Sequence, residues 1–290
     1  MTTASQWVAG ARPRTLGAAI APVIVGTAAA DGAAGDIRWG RAALALVVAL
    51  GLQVGVNYAN DYSDGVRGTD VDRKGPLRLT ASGVAAPSAV RNAAALAMLV
   101  AAVAGLALAI LVNLWLLVVG VAAIAAAVFY TGGPKPYGYA GFGELAVLVF
   151  FGFVATVGSA YVQFARVPAT AWWAAASMGL LACAILLANN VRDVEADRVA
   201  GKHTLAVRVG APAARKLFAA CVIGAFVTVV GAAFSAPWAL LGLAAIPLAV
   251  TPVRLVLTRS DPPSLIGALV GTSRLELVLA VVVAFGLVIS

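Results

Sequence analysis

The most restrictive feature of this sequence is the length of its stretches without charged residues. Seven runs of 14 to 43 residues contain no Asp, Glu, Lys or Arg, at 15–30, 42–60, 92–134, 145–165, 167–191, 217–253 and 277–290. A helix that crosses about 30 Å of hydrocarbon needs about 20 apolar residues. Charged residues make up 11% of the chain, against about 25% in a soluble domain. The sequence therefore excludes a water-soluble globular protein and predicts an all-α integral membrane protein.

The lengths of these runs predict nine transmembrane helices. Single spans are expected near 15–31, 42–61, 142–163 and 168–190. The runs 92–134 and 217–253 are long enough for two spans each. We expect the first to reverse around Asn113 and the second around Ser235–Pro237, where polar and helix-breaking residues interrupt the apolar sequence. A last span ends the chain.

The distribution of basic residues predicts the orientation in the membrane. With nine spans, the connecting segments alternate between the two sides of the membrane. Of the 20 Lys and Arg residues, one side contains only Arg38, Arg41 and Arg166. Because basic residues favour the cytoplasmic side, we expect a cytoplasmic N-terminus and an external C-terminus in the cell membrane. The net charge of +8 is explained by this asymmetry, and we expect no nucleic-acid partner.

Seven of the twelve acidic residues lie in two short segments that begin at the cytoplasmic ends of predicted spans. These acids are Asp61, Asp64, Asp70, Asp72, Asp193, Glu195 and Asp197. Asn and Asp residues spaced by three or four positions lie on one face of a helix. Carboxylates stacked in this way repel one another, so a cation should compensate them. Oxygen ligands without His or Cys favour a hard ion such as Mg²⁺, shared with substrate phosphates.

The two acidic segments lie 132 residues apart, which suggests two halves facing each other across a central cavity. Basic residues flank both, namely Arg67, Arg73, Lys74, Arg78, Arg192, Arg198, Lys202 and Arg208. Acids that hold a metal, together with bases that hold oxygens, are typical of a diphosphate site. The alternative is that both segments are ordinary cytoplasmic loops.

These residues resemble the two motifs of the UbiA superfamily of intramembrane prenyltransferases. Asn60–Asp64 is similar to the first motif, Asn-Asp-x-x-Asp, and Asp193–Asp197 to the second, Asp-x-x-x-Asp. The resemblance implies one domain, 1–290, with a UbiA-like bundle around a central cavity and the motif segments 57–83 and 189–210 on the cytoplasmic side. Gly75–Arg78 and Gly201–Gly210 resemble the menaquinone-pathway branch. That branch joins a polyprenyl chain, supplied as its diphosphate, to 1,4-dihydroxy-2-naphthoate with loss of CO2.

The resemblance also implies the roles of individual residues. Two Mg²⁺ ions would bridge to the diphosphate, with metal ligands Asp61, Asp64, Asp193 and Asp197, and with Asp70 or Asp72 in place of the family ligand that is Gly68 here. The implied diphosphate partners are Arg67, Lys135, Arg192 and Lys202, while Asn57 and Asn60 orient carboxylates or contact phosphate. Tyr130 would present its ring to the allylic cation, and Arg78 would bind the carboxylate of the acceptor.

Three other functions remain open at this point. The acceptor can be a different aromatic, such as 4-hydroxybenzoate or homogentisate. Asp61-x-x-Asp64-Gly65 also suggests a CDP-alcohol phosphotransferase, although that family keeps its acids in one segment. A divalent-cation transporter is the alternative that is not an enzyme. Of the remaining acids, we expect Glu144 to cap a helix and Glu276 to pair with Arg274 at the membrane interface.

Overall fold

The computed structural model describes residues 2–34, 36–69 and 77–290. Within these ranges the regular structure is helical and contains no strand. The helices are α1 (Ala4–Ala11), α2 (Gly17–Ala34), α3 (Trp39–Arg67), α4 (Pro87–Leu111), α5 (Leu116–Thr131), α6 (Gly143–Phe164), α7 (Ala169–Val199), α8 (Leu205–Val209), α9 (Ala211–Ala232), α10 (Pro237–Thr258) and α11 (Pro262–Val288). The prediction of an all-α membrane protein is therefore confirmed.

Seven helices of the described chain are long and apolar enough to cross a membrane, namely α3, α4, α6, α7, α9, α10 and α11. Helices α1 and α2 are bent by 52° relative to each other and would form an eighth span if they cross together. Helix α5 has 16 residues, about 24 Å at 1.5 Å per residue, which is shorter than the hydrocarbon layer. Each predicted span coincides with one of these helices, but the count of nine requires that both the bent pair and α5 cross.

Both predicted reversals of the chain occur where expected. Helix α4 ends at Leu111 and α5 begins at Leu116, and between them the Trp115 backbone N–H donates to Asn113 Oδ1 at 3.2 Å. Such side-chain acceptors commonly stabilise a turn. The second reversal ends at Pro237, which suits the first turn of α10 because no helical hydrogen bond needs its missing N–H.

Helix α7 is the centre of the bundle. In the apolar part of α7 that can span the membrane, 72% of the residues are buried. The helix packs against α2, α6, α9 and α11. Small residues allow this close packing: a Cβ built on Gly152 of α6 would lie 2.7 Å from Gly179 Cα of α7. Lipid tails are as apolar as the helix surfaces, so the hydrophobic effect does not drive membrane helices together. They associate instead through close packing at small residues such as these glycines.

A π-helical stretch, Leu148–Val154, interrupts α6. Phe150, Phe151 and Val154 of this stretch line a cavity inside the bundle. This part of α6 therefore presents an apolar face to the inside of the bundle.

Arg41 ties three helices together at the end of the bundle opposite the acidic segments. Its guanidinium donates to the carbonyl oxygens of Leu111, Val162 and Gln163, each at 2.9 Å. These carbonyls belong to the last turns of α4 and α6, where no intrahelical donor remains. Arg41 therefore supplies the donors that these helix ends lack.

We expect Arg41→Ala to lower the melting temperature in detergent by about 2–6 °C, since loss of these charge-assisted hydrogen bonds costs about 1–3 kcal/mol. Arg166→Ala is the matched control, because Arg166 is exposed and forms no hydrogen bond or ion pair within the described ranges. Equal melting temperatures for the two variants, measured by thermal unfolding, would show that the Arg41 contacts contribute nothing.

Candidate active site

A cavity of about 330 Å³ lies inside the bundle, between α2, α3, α5, α6 and α7. Most of its wall is apolar, and its lining along α3 runs from Ala45 to Asn60, about 22 Å of helix. Polar side chains gather near the end that leads to the acidic segments: Arg12, Gln53, Asn57, Asn60, Tyr130, Tyr137 and Asn189. This shape suits an elongated apolar ligand with a polar head.

The two acidic segments meet just beyond this polar end, at Lys202. The Lys202 ammonium nitrogen lies 3.2 Å from Asp64 Oδ1 and 4.0 Å from Asp197 Oδ1. Arg78 approaches the other oxygen of Asp64 at 3.7 Å, and the Tyr139 hydroxyl donates to Asp64 Oδ1. Asp64 is only 4% exposed, so its charge is compensated by buried partners and not by water.

Local backbone structure explains how Lys202 reaches this position. Helix α7 ends at Val199, and Gly201 adopts a left-handed conformation (φ +72°) that reverses the chain. The Lys202 backbone N–H then donates to the Asp197 carbonyl at 2.8 Å, and the His203 N–H donates to the Tyr139 carbonyl at 2.8 Å. The turn that follows α7 is thereby joined to the segment between α5 and α6.

Asp61 has a different environment from Asp64, although both belong to the first motif. Its carboxylate oxygens accept the backbone N–H groups of Leu79 and Thr80, each at 2.8 Å, and the side chain is 1% exposed. These bonds fix the backbone next to Arg78. Asp61 thus anchors the segment that brings Arg78 to Asp64, and its role as a metal ligand stays a prediction.

The acid of the second motif nearest the cavity, Asp193, is paired with its neighbour in the chain. Arg192 donates to both Asp193 oxygens, at 2.7 and 2.6 Å, and to Asn189 Oδ1 at 2.7 Å. Both charged side chains are at least nine-tenths buried. Arg192 therefore links Asp193 to the cavity-lining Asn189.

The remaining predicted residues divide into structural contacts and one exposed lysine. Asn60 accepts a hydrogen bond from the Thr131 hydroxyl at 2.7 Å, and Asn57 donates to the Ala11 carbonyl at 2.9 Å. Arg67 donates to the Thr131 carbonyl at 2.7 Å. Lys135 is exposed and has no hydrogen bond or ion pair within the described chain. Asp70 and Asp72, predicted to replace the ligand absent at Gly68, lie outside the described residues.

Comparison with known proteins identifies the family. Residues 19–270 match the model of the UbiA prenyltransferase family. The chain belongs to this family. A 1,4-dihydroxy-2-naphthoate octaprenyltransferase of Mycobacterium tuberculosis is 49% identical over 284 residues, covering 98% of this chain and 97% of that protein. The Escherichia coli protein of the same name is 38% identical over 275 residues, covering 88% and 86%.

The fold of a solved UbiA homologue agrees with this membership. The structure of a UbiA homologue from Archaeoglobus fulgidus bound to DMAPP and Mg²⁺ superposes with a TM-score of 0.70 at 15% identity, covering 98% of this chain and 99% of that one. The nature of the family and the apolar helices together establish a multi-pass membrane protein of the UbiA type.

The metal that a UbiA protein implies fits the donors found here. No three His, Cys, Asp or Glu side chains of the described chain converge in a ready-made metal cage. The acids of both motifs supply only oxygen ligands, which suit a hard cation such as Mg²⁺. Lys202 already places one positive charge between Asp64 and Asp197, so the two motifs converge on a point that accommodates a cation.

Sequence reasoning missed Tyr139, which contacts residues of both motif segments of this UbiA chain. Besides bonding Asp64, its ring lies 4.8 Å from the Lys202 nitrogen and 5.5 Å from the Arg67 guanidinium carbon. Burial raises the pKa of Tyr139 well above its ordinary value, and the Asp64 charge raises this pKa further. The hydroxyl therefore stays protonated and donates to Asp64. Only its position between glycines, in Gly138-Tyr139 before Gly141, hinted at a specific turn.

Proposed function

We propose that this protein transfers a polyprenyl chain from its diphosphate to 1,4-dihydroxy-2-naphthoate, with loss of CO2, in menaquinone synthesis. The observation that carries the reaction class is the meeting of Asp64 and Asp197 at Lys202, at the polar end of an apolar cavity. The choice of acceptor is supported by near full-length similarity to the mycobacterial naphthoate octaprenyltransferase.

The apolar wall and the polar end of the cavity allow the prenyl diphosphate only one orientation. Its hydrocarbon chain would lie along the apolar wall formed by α3, α5 and α6, and its diphosphate would lie where Lys202, Arg78 and Arg67 gather around the first motif. Multiple cationic donors suit a diphosphate because charge-assisted hydrogen bonds to phosphate oxygens are strong. Arg192 is a further diphosphate partner if its pairing with Asp193 opens.

Magnesium would be held by the motif acids that face this point. We assign Asp61, Asp64, Asp193 and Asp197 as ligands, with Asp70 as the further ligand and two ions in total; Asp61 also anchors the backbone of Leu79 and Thr80. When bound, Mg²⁺ stabilises the charge that develops on the leaving diphosphate. Tyr130, whose ring lines the polar end of the cavity, would face the allylic cation. Asn57 and Asn60 would hold the ends of α1 and α5 against α3.

We further propose that residues 1–290 form one domain in the cell membrane, with a cytoplasmic N-terminus and an external C-terminus. The active site then opens to the cytoplasm. The near absence of Lys and Arg from one set of connecting segments supports this orientation. A cysteine-accessibility experiment with single cysteines at Ser5 and Ser290 in closed membrane vesicles tests it, since both residues lie at chain ends.

The assay that tests the proposed function uses detergent-purified protein with octaprenyl diphosphate and Mg²⁺. Parallel reactions contain 1,4-dihydroxy-2-naphthoate, 4-hydroxybenzoate or homogentisate, and products are identified by mass. We expect a prenylated, decarboxylated naphthoquinol that is not formed in excess EDTA, since the metal-free site lacks the charge that stabilises the leaving diphosphate.

The other results of this assay have definite meanings. Product from 4-hydroxybenzoate or homogentisate alone would preserve the reaction class and refute the naphthoate assignment. Absence of product with every acceptor, together with divalent-cation flux into proteoliposomes that contain no prenyl donor, would favour the transporter.

A further inference from the structure

A groove on the outer surface of the bundle lies between α9 and α10, two of the helices that can cross a membrane. Its volume is about 630 Å³, and it shares no lining residue with the cavity of the candidate active site. Every residue that lines the groove is apolar except Arg254, the last lining residue of α10. This surface is therefore separate from the site of the proposed reaction and faces the hydrocarbon of the membrane.

The groove has a floor of buried residues and a rim of exposed ones. Val222 and Ala249 are buried at its base. The rim residues Ile223, Val227 and Val250 are 63%, 62% and 60% exposed. This difference in height makes the surface concave, so that a chain-shaped apolar ligand gains contacts on both sides as well as below.

The length of the groove matches one leaflet of a bilayer. Its lining covers 222–230 on α9 and 243–254 on α10, which is about 12–18 Å of helix at 1.5 to 2.0 Å per residue. Half of the hydrocarbon layer is about 15 Å thick. An acyl chain that runs from the membrane surface to the middle of the bilayer therefore fits along the groove.

Arg215 holds α9 and α10 together just beyond the Arg254 end of the groove. Its guanidinium donates to the carbonyl oxygens of Val256 and Arg259 and to the Ser260 hydroxyl at 3.0 Å. These carbonyls belong to the end of α10, which lacks intrahelical donors. Since α9 begins here, shortly after the end of α7, this end of the groove lies on the same side of the bundle as the acidic motifs.

Two cations at this end differ from Arg215 because they have no partner among the described residues. Lys216 and Arg254 are exposed, and neither side chain forms a hydrogen bond or an ion pair within the described ranges. Lys216 precedes Ile223 by seven residues and therefore lies on the same side of α9. Arg254 follows Val250 by about one turn on the groove side of α10. Each wall of the groove thus ends in an uncompensated positive charge.

We propose that this groove binds an anionic glycerophospholipid, with an acyl chain along the groove and the phosphate held between Lys216 and Arg254. Ammonium and guanidinium groups form charge-assisted hydrogen bonds with phosphate oxygens. Basic pockets between transmembrane helices bind anionic lipid headgroups in this way. The inference does not depend on the proposed function, because neither cation belongs to the site of prenyl transfer.

The combination of apolar length and positive charge selects this occupant. A soluble anion would compensate the two cations but would leave the apolar groove unfilled. A zwitterionic lipid would fill the groove, but its own ammonium group offsets the attraction between its phosphate and the cations. A prenyl diphosphate would bring Mg²⁺, for which the groove offers no carboxylate, since none of its lining residues is acidic. An anionic phospholipid satisfies both parts of the surface.

Native mass spectrometry of the delipidated protein in detergent tests the proposal, with phosphatidylglycerol and phosphatidylcholine of identical acyl chains as probes. We expect the wild type to bind phosphatidylglycerol more tightly. One cation near an anionic lipid contributes about fivefold to binding, so the double variant Lys216→Gln/Arg254→Gln should bind phosphatidylglycerol about 10–30-fold more weakly. Its binding of phosphatidylcholine should change little. Val250→Trp should weaken the binding of both lipids, because the indole ring occupies the groove.

Arg91→Gln is the matched control, because Arg91 is an exposed residue in the first turn of α4 and does not line the groove. This variant should bind both lipids as the wild type does. Melting temperatures in lipid-free detergent report on folding. All the variants should match the wild type in this measurement, since none of the replaced side chains is buried.

Three results would overturn the proposal. The first is equal affinity of the wild type for the two lipids, or unchanged affinity of the double variant for phosphatidylglycerol. The second is an equal loss in Arg91→Gln, since attraction to the basic surface as a whole would then explain the binding. The third is a dimer that forms without lipid and is lost in Val250→Trp, which would assign the groove to a second copy of the chain. None of these results depends on whether the protein prenylates an aromatic.

Discussion

Replacing Asp64 with Asn is expected to lower kcat for prenyl transfer about 10³-fold, the size of effect seen when a principal transition-state electrostatic contact is removed. Asp64 is the acid of the first motif that meets the second, and its Oδ1 receives both Tyr139 and Lys202. Asn keeps the volume and one acceptor oxygen but removes the negative charge. The variant therefore tests the charge and not the packing of the site.

Initial rates with naphthoate and octaprenyl diphosphate over a range of Mg²⁺ concentrations measure this effect. Asp261→Asn is a matched control, because Asp261 is exposed and caps α11 through the Ser264 N–H at 3.0 Å, a role that Asn also fills. The amount of monodisperse protein in detergent reports on folding. Retention of more than about a tenth of wild-type activity by Asp64→Asn would show that the metal and diphosphate lie elsewhere.

The parts of the structure that follow from local sequence were predictable. Each span was visible as an apolar run, and the reversals at Asn113 and Ser235–Pro237 follow from turn-forming residues inside those runs. The proximity of the two acidic segments to each other was also predictable, because each segment begins at the end of a span on the same side of the membrane. Helix bounds differ because polar residues such as Asp61 and Asp64 continue α3 beyond its apolar part.

Side-chain partners were less predictable, because they depend on which segments the fold brings together. Asp61 and Asp64 lie three residues apart on α3, yet only Asp61 accepts hydrogen bonds from the backbone of Leu79 and Thr80. Nothing in the sequence specifies where that turn lies. Tyr139 was missed for the same reason, since a tyrosine in a loop carries no pattern until its neighbours are known.

The expected pairing of Glu276 with Arg274 is wrong. Glu276 is fully buried in α11, and neither of its carboxylate oxygens has a hydrogen-bond partner among the described residues. Residues two apart on a helix do not face each other, so a helical Arg274 points away from Glu276. Sequence distance alone suggested the pair, and the geometry of the helix excludes it.

Replacing Lys202 with Met is expected to destabilise the metal-free protein by about 3 kcal/mol, because removing one partner from a buried ion pair leaves uncompensated charge. Lys202 is 7% exposed and lies between Asp64 and Asp197, which Met would leave facing each other. Arg78 and Tyr139 still contact Asp64, so the loss should fall at the lower end of the range for buried pairs. The melting temperature in EDTA measures it.

Addition of Mg²⁺ then distinguishes a cation site from simple packing. A ligand that binds only the folded state stabilises it by an amount that grows with the logarithm of its affinity. Without the competing ammonium group, Asp64 and Asp197 should bind Mg²⁺ more tightly, so the rise in melting temperature on adding Mg²⁺ should be larger in Lys202→Met than in the wild type. Lys216→Met, an exposed change on α9, should match the wild type in both measurements. If Mg²⁺ raises the melting temperature of Lys202→Met no more than that of the wild type, Lys202 does not occupy the place of the metal, and the ions must bind away from the point where the two motifs meet.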